Sequence, residues 1–207
     1  MLHREIAGSE VVSAADERRR QILAAARACF ARSGFHGASM QEICAAAKMS
    51  PGALYRYFPS KEAIIEAIAD EERLCAVQIV RQIEGAGSLL DRLIDCAMAY
   101  LDYARQPETS ELFAEINAES LRNTEIGLRF RTIDEEARLF MRAALADAVA
   151  RGEIGRGIDL DAALGVLMAA CDGLVQRQIF DPHLTSERVR PVLRRIIAAA
   201  LEVPDRG

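Results

Sequence analysis

Residues 51–57 combine a Pro-Gly pair with two tyrosines and an arginine, in the order PGALYRY. Tyr55, Arg56 and Tyr57 offer hydroxyl and guanidinium donors, which suit phosphate oxygens and base edges. Gly52 removes a side chain where the backbone has to approach another surface closely. Burial in a helical core does not require a Pro-Gly start with tyrosine and arginine beside it. The composition of this stretch therefore indicates contact with nucleic acid.

Two short helices must position these donors. Ser39 and Glu42 fit a capping box, so a helix should begin at Ser39 and run to about Lys48. Ser50 followed by Pro51 marks a second helix start, because a proline at the first helical position gives up an N–H that would be unpaired anyway.

Together these elements form a helix, a tight turn and a second helix that ends before Pro59. This is the layout of a helix-turn-helix, whose second helix can lie in the DNA major groove. Leu54 and Phe58 are four residues apart and can pack against Ile43 and Phe30, which leaves the donors on other faces. From spacing alone, an αα-hairpin inside a helical bundle is nearly as good an interpretation.

The rest of the chain predicts an all-α fold of nine helices, three short and six longer. Residues 1–15 show no sustained period and are expected to be a flexible arm. The first helix should begin at Asp16 and stop at Ser33-Gly34. No strand-like alternation is present. The longer helices are expected near 60–83, 88–105, 108–122, 125–150, 159–180 and 185–202.

Composition and charge limit the class of protein. The chain has 207 residues, 51% of them apolar, which is enough to bury a core. Its five cysteines are widely spaced in sequence, so we expect them to be small buried side chains rather than disulfide partners. It has no run long enough to span a bilayer and no signal peptide, so we expect a cytoplasmic protein without membrane contact. Residues 1–60 hold eight Lys/Arg and five Asp/Glu, whereas residues 61–207 hold eighteen and twenty-six. A basic head on an acidic body fits a nucleic-acid binder, although chance clustering would give the same imbalance.

Enzymatic chemistry finds little support in the sequence. His3, His36 and His183 lie far apart without metal-ligand spacing, and no phosphate-binding or dinucleotide-binding glycine motif occurs. We therefore expect neither catalysis nor a cofactor or metal.

The run GFHGASMQEICAAAKMSPGALYRYFPSKEAII, residues 34–65, resembles the DNA-binding signature of the TetR/AcrR family of bacterial transcriptional regulators. The resemblance includes the Ser39 cap, Ser50 and Gly52, in the order and spacing of the family. It implies a DNA-binding domain at 16–65 and a ligand-sensing and dimerisation domain at 66–207. The implied function is a ligand-responsive regulator, most plainly a repressor that binds a near-palindromic operator as a dimer.

By this resemblance, a set of residues in the second helix and beside it falls where the family contacts operator DNA. Tyr55, Tyr57 and Lys61 would meet phosphates, and Arg56 with residues 50–53 would reach bases. Lys48 departs from the family pattern, which favours glycine at a turn residue with positive φ; it adds a cation near the DNA. The full expected set is Lys48, Ser50, Pro51, Gly52, Ala53, Tyr55, Arg56, Tyr57 and Lys61.

The acidic body is expected to dimerise and to bind a small, largely apolar effector. Helix 159–180 is apolar on two faces, which suggests burial on two sides, and the last helix repeats this pattern; one large monomeric core is the alternative. The expected interface comprises Gly165, Ala169, Gly173, Val189, Leu193, Ile196 and Ile197. Candidate effector contacts are Tyr103, Phe113, Asn117, Phe140, Met168 and Cys171.

Two alternatives stay open at this point. Glu115 and Glu119 are four residues apart and could bind a cation, but two solvated carboxylates are the simpler interpretation. A helical small-molecule binder or architectural protein without specific DNA binding would share the same fold; it predicts no salt-sensitive binding to duplex DNA.

Overall fold

The structure is a computed structural model that describes residues 13–181 and 183–204, apart from the side chain of Glu108. Over these residues it is all-α, with nine α-helices and one short 3-10 helix, which confirms the predicted fold class. Most of the predicted arm lies outside the described residues. The helices are α1 Ala14–Gly37, α2 Met40–Ala46, α3 Pro51–Tyr57, α4 Lys61–Val80, the 3-10 helix Arg81–Glu84, α5 Leu89–Ala104, α6 Pro107–Ser120, α7 Thr124–Arg151, α8 Leu160–Phe180 and α9 Ser186–Ala200.

Helix α1 begins earlier than predicted and breaks where predicted. Ser13 and Asp16 form a capping box, so Ala14 rather than Asp16 is the first helical residue. Gly34 has a φ of 71°, in the left-handed region, and interrupts the helix before a last short turn at residues 35–37. Glycine is favoured here because it adopts this conformation without the strain that a Cβ imposes.

The chain packs as two compact units. The first contains the described residues up to Cys75 together with Pro107–Arg131. Its core is built around fully buried Phe30, Ile43 and Leu54, and α6 contributes Leu112 and Ile116 to it. Helix α6 therefore packs with the predicted head, although the sequence placed it in the body.

A buried ion-pair group joins α1 to α4 in the first unit. The guanidinium of Arg27 pairs with the carboxylate of Glu72 and lies 3.0 Å from Glu71 Oε2. Burial opposes the charge on Arg27, and the two carboxylates offset it and raise its pKa above the usual arginine value.

The second unit contains Ala76–Gln106 and the described residues from Thr132 onward. Helix α5 is its centre, because α8, α9 and the 3-10 helix all pack on it. Leu101 and Leu164 are fully buried there. Arg190 Nη2 lies 2.6 Å from Asp95 Oδ1, and Arg194 Nη1 lies 2.5 Å from Asp91 Oδ1, so two ion pairs fix α9 against α5.

All five cysteines are free thiols, as the sequence suggested, and all but Cys171 are buried. Burial raises the pKa of Cys96 and of Cys171 to about 11, so both thiols stay protonated at neutral pH. Across the residues that the structure describes, no helix is both long and apolar enough to cross a membrane.

Candidate nucleic-acid interface

The turn between α2 and α3 places Lys48 in the left-handed region, with a φ of 53°. The backbone N–H of Lys48 donates to the carbonyl of Ala45, and that of Met49 donates to the carbonyl of Cys44, each at 3.1 Å. From α1, the Gln21 amide donates to the carbonyl of Ala47 at 2.7 Å. The turn thus keeps the geometry that favours glycine although a lysine occupies it, and the exposed lysine side chain extends from this surface.

Helix α3 buries one face and exposes the other. Ser50 caps it by accepting from the N–H of Ala53 at 3.3 Å, and Leu54 and Phe58 are buried in the core of the first unit. The guanidinium of Arg19 lies 4.5 Å from the centre of the Phe58 ring, a cation–π contact that holds the end of α3 to the start of α1.

The opposite face of α3 is open to solvent. Tyr55 is 51% exposed, and Ser50, Pro51, Gly52 and Arg56 are exposed as well. A Cβ added to Gly52 would have nothing within 4 Å, so the backbone here is accessible to a partner. The structure therefore brings these five predicted contact residues together on one surface.

Tyr57, Lys61 and Ala53 are less available than the sequence suggested. All three are partly buried, and Tyr57 packs against the core. The Lys61 ammonium donates to the carbonyls of Ala38 at 3.0 Å and of His36 at 3.3 Å. Lys61 therefore holds the segment that leads into α2, in addition to any contact with phosphate.

Two carboxylates of α6 meet the break in α1. Glu115 Oε1 accepts the backbone N–H of Phe35 at 2.8 Å. Glu119 is fully buried, with Oε1 2.7 Å from Nε2 of His36. The expectation of two solvated carboxylates is therefore wrong, because both side chains turn toward residues 35 and 36 instead of water.

The candidate effector contacts do not fall in one unit. Phe113 and Asn117 belong to the first unit, where Phe113 packs against the core and Asn117 is exposed. The other four belong to the second unit: Tyr103, which is buried, and Phe140, Met168 and Cys171, which are half-buried.

Three polar residues that the sequence did not single out, Tyr100, Asp134 and Asp172, lie close in sequence to these four residues. The Tyr100 hydroxyl donates to Asp172 Oδ1 at 2.6 Å. Partial loss of hydration raises the pKa of Asp134 although the residue stays exposed at one side, and the charges of Asp172 and Glu135 raise it further. Asp172 is one residue from Cys171, but nothing in its spacing from Tyr100, 72 residues away, signals their contact.

The predicted dimer interface divides into outward and inward residues. Gly165, Ala169 and Gly173 are exposed along α8, and Ile196 is 45% exposed on α9. A correction applies to the other three, Val189, Leu193 and Ile197, which are 5%, 2% and 3% exposed within the protomer. They pack in the core of the second unit, so they have little surface left for a partner. The expected set did not include Val166 and Val192, which are 62% and 46% exposed.

Comparison with known proteins decides the family. The family model described as "Bacterial regulatory proteins, tetR family" matches residues 22–68, which cover most of α1 through to α4. A second model, "BetI-type transcriptional repressor, C-terminal", matches residues 90–202, more than half of the chain. The chain belongs to the TetR family.

Relatives agree with this assignment. The HTH-type transcriptional regulator UidR of Escherichia coli K12 is 35% identical over an alignment of 159 residues, and the match covers 72% of this chain and 79% of UidR. The solved structure of Salmonella enterica GusR has a TM-score of 0.81 at 33% identity, covering 93% of this chain and all of that chain. The SmeT–triclosan complex shares the fold, with a TM-score of 0.76 at 22% identity over 90% or more of both chains.

Membership of the TetR family confirms the predicted function class. The protein is a ligand-responsive, DNA-binding transcriptional regulator of the repressor type, and not an enzyme. TetR-family regulators bind operators as dimers and bind small-molecule ligands. No group of three or more metal-ligating side chains occurs in the part of the chain that the structure describes.

Proposed function

We propose that this TetR-family regulator binds a near-palindromic operator through the exposed face of α3 in each protomer of a two-fold dimer, and that a small, largely apolar effector releases it. The observation that carries the DNA-binding part is the open surface formed by Ser50, Pro51, Gly52, Tyr55 and Arg56, backed by a buried face of the same helix. A helix anchored from behind in this way can enter a major groove without losing its own packing. Because such a regulator acts on chromosomal DNA, we also propose that it works in the cytoplasm.

The residues of this surface divide by chemistry. Arg56 and the backbone around Gly52 are assigned to base edges, because a guanidinium pairs well with guanine. Tyr55 and Lys48 are assigned to phosphates, together with Tyr57 and Lys61 to the extent that their partial burial allows. Base contacts set the sequence preference, and phosphate contacts set affinity and salt dependence.

Selection of bound DNA from random duplexes tests this proposal and gives the operator. We expect a near-palindromic consensus and an affinity that falls steeply with salt concentration. Arg56→Ala should relax the preference at particular base pairs by about 1–3 kcal/mol. Arg156→Ala, which removes an exposed arginine of the second unit, serves as the matched control. An unselective, salt-insensitive protein would instead support the architectural alternative.

Exposed apolar side chains on α8 and α9 support the dimer. Val166, Val192 and Ile196 are exposed, and Cβ atoms added to Gly165 or Gly173 would meet nothing within 4 Å. Exposed apolar residues next to glycines allow a second helix to approach closely and bury them.

Ile196→Glu should convert the dimer to a monomer in sedimentation experiments, because a buried, unpaired carboxylate is costly. Leu74→Glu is a matched control, since Leu74 is 54% exposed and lies on α4, outside the proposed interface. A dimer that survives Ile196→Glu unchanged would contradict the assignment of α9 to the interface.

For the effector, the half-buried residues Phe140, Met168 and Cys171 of the second unit support an apolar site with few polar anchors. The fold relative SmeT was solved with triclosan, an apolar aromatic compound. We expect a panel of such compounds, triclosan among them, to contain one that lowers operator affinity. Met168→Trp should reduce that response without changing the affinity for DNA in the absence of the compound.

A further inference from the structure

Residues 34–38 connect α1 to α2, and α6 holds them through two carboxylates. Glu115 Oε1 accepts the N–H of Phe35 at 2.8 Å, and a Cβ added to Gly34 would come within 2.9 Å of the same oxygen. Glu119 Oε1 lies 2.7 Å from His36 Nε2. Phe35 is itself buried, with its ring 4.9 Å from that of Phe30. Helix α6 therefore contacts the segment through the backbone of Phe35 and the side chain of His36, while Phe35 packs against α1.

Helix α4 also contacts residues 34–38, through hydrogen bonds to their backbone carbonyls. Lys61 donates to the carbonyls of His36 and Ala38, and Ser39, the next residue, is the N-cap of α2. Helix α3 packs on α2. A displacement of residues 34–38 would therefore move the start of α2, and α3 with it.

The carboxylate of Glu119 depends on its charged neighbours. Its side chain is 0% exposed, and among the described residues neither of its oxygens has a hydrogen-bond partner of good geometry. Its charge partners are His36 and Arg122. The Nε of Arg122 lies 3.5 Å from Oε2 of Glu119. A buried carboxylate is stable only if nearby positive charge compensates for the lost water.

Histidine is the side chain whose charge ordinarily changes between pH 5 and 8. The side chain of His36 is 74% exposed, and its Nε2 contacts the buried carboxylate of Glu119. A positive charge on His36 adds an ion pair to the contact, and the neutral imidazole leaves Arg122 as the cation beside Glu119.

We propose that His36 and Glu119 are positioning residues for operator binding, forming a clasp between α6 and residues 34–38 that tightens when His36 is protonated. The inference rests on the proposed function, because its main readout is operator affinity. It makes DNA binding by this regulator stronger at mildly acidic pH. Charged groups near the clasp are Glu115 on α6, Arg122 in the turn that follows α6, Lys61 on α4, Arg32 on α1 and Glu42 on α2, and Glu42 is already engaged with Ser39.

The test measures operator affinity by fluorescence anisotropy at about pH 6 and about pH 8 and at constant ionic strength, a range in which histidine changes charge. Wild type, His36→Gln, Glu119→Gln and the double variant are compared with His183→Gln, which removes another exposed histidine far from the clasp in sequence. For each variant we compare the operator affinity at the lower pH with that at the higher pH. This ratio should be about fivefold larger for wild type and His183→Gln than for His36→Gln, a value at the low end of typical coupling between sites. Glu119→Gln should lose the same pH dependence, and the double variant should lose nothing further.

Glu115 supplies an internal check on the geometry. Glu115→Gln retains an oxygen that can accept the Phe35 N–H, so its affinity should stay close to wild type, whereas Glu115→Ala should weaken operator binding several-fold at both pH values. Equal affinities for these two variants would overturn the positioning role of α6 at this segment.

Two results would overturn the clasp itself: a full pH response in His36→Gln, or additive losses in the double variant. Failure of the proposed function is separately visible, because wild type would then select no DNA, and the role in operator binding would fall with it. In that case a double-mutant cycle, measured on the free energy of unfolding at the same two pH values, still tests whether His36 and Glu119 interact. A coupling free energy between them that does not increase at the lower pH would contradict the proposed clasp.

Discussion

Replacing Lys48 by glycine should stabilise the protein, because Lys48 has a φ of 53° in the turn of the helix-turn-helix. The left-handed conformation costs an ordinary L-residue roughly 1–2 kcal/mol. Glycine avoids that cost but loses more freedom on folding, which offsets about 0.4–1 kcal/mol of the gain. The lysine side chain is exposed, so little packing is lost. The net expectation is an increase of about 0.5–1 kcal/mol in the free energy of unfolding.

Urea unfolding of wild type, Lys48→Gly and Lys48→Gln measures this difference. Lys48→Gln removes the charge but retains a Cβ in the strained conformation, so its stability should stay within about 0.5 kcal/mol of wild type, as for most surface substitutions. Lys48→Gly should raise the midpoint without changing the slope, which reports the surface exposed on unfolding. If Lys48→Gly is no more stable than Lys48→Gln, the lysine is not strained and the reasoning from φ is refuted.

The same two variants separate conformation from charge in DNA binding. Each phosphate contact contributes about 0.9 to the slope of log affinity against log salt concentration. Both variants should therefore lower the slope by about one if Lys48 meets a phosphate, while their stabilities differ. Unchanged slopes in both would remove Lys48 from the interface and leave the turn argument intact.

Three further substitutions test packing and charge. Gly127→Ala should destabilise by roughly 1–3 kcal/mol in thermal unfolding, because the added Cβ would lie 2.8 Å from the carbonyl oxygen of Ser120. Arg27→Ala should cost about 3 kcal/mol or more, because it removes the guanidinium that pairs with buried Glu72; a loss below about 1 kcal/mol would contradict the importance of this pair. Asp134 has a raised pKa, so folding favours its protonated form and stability falls as pH rises through that pKa. Asp134→Asn should therefore stabilise by about 0.5 kcal/mol at neutral pH, with a gain that disappears toward about pH 4.

Local signals predicted the head well because capping and turn chemistry act over a few residues. The Ser39–Glu42 capping box and the Ser50-Pro51 start both occur as expected, and Glu42 has a pKa lowered by its hydrogen bonds to Ser39. The sequence predicts too late a start for α1, because the equivalent capping box at Ser13 lies in a stretch of mixed polarity without a helical period.

Contacts between distant residues were not predictable in the same way. Glu115 and Glu119 were noticed for their spacing, but a four-residue interval says only that two side chains share a helix face. Which surface that face meets depends on how α6 packs on α1, about 80 residues away in sequence. The buried environment of Glu119, and with it the link to His36, is therefore a property of the tertiary structure.

Helix α9 shows why the expected interface set combines residues from two apolar faces of one helix. Val189, Leu193 and Ile197 are spaced by four and turn into the second unit, while Val192 and Ile196, also spaced by four, turn outward. Hydrophobicity alone does not say which of two such stripes faces the protomer core. The arginines agree with the observed rotation: Arg190 and Arg194 each follow an inward residue by one position, and both pair with aspartates of α5. Because these pairs are about half exposed, burial of the inward stripe contributes more to the rotation of α9 about its own axis. Val192 and Ile196 are then left on the opposite side, where a second copy of the chain can cover them.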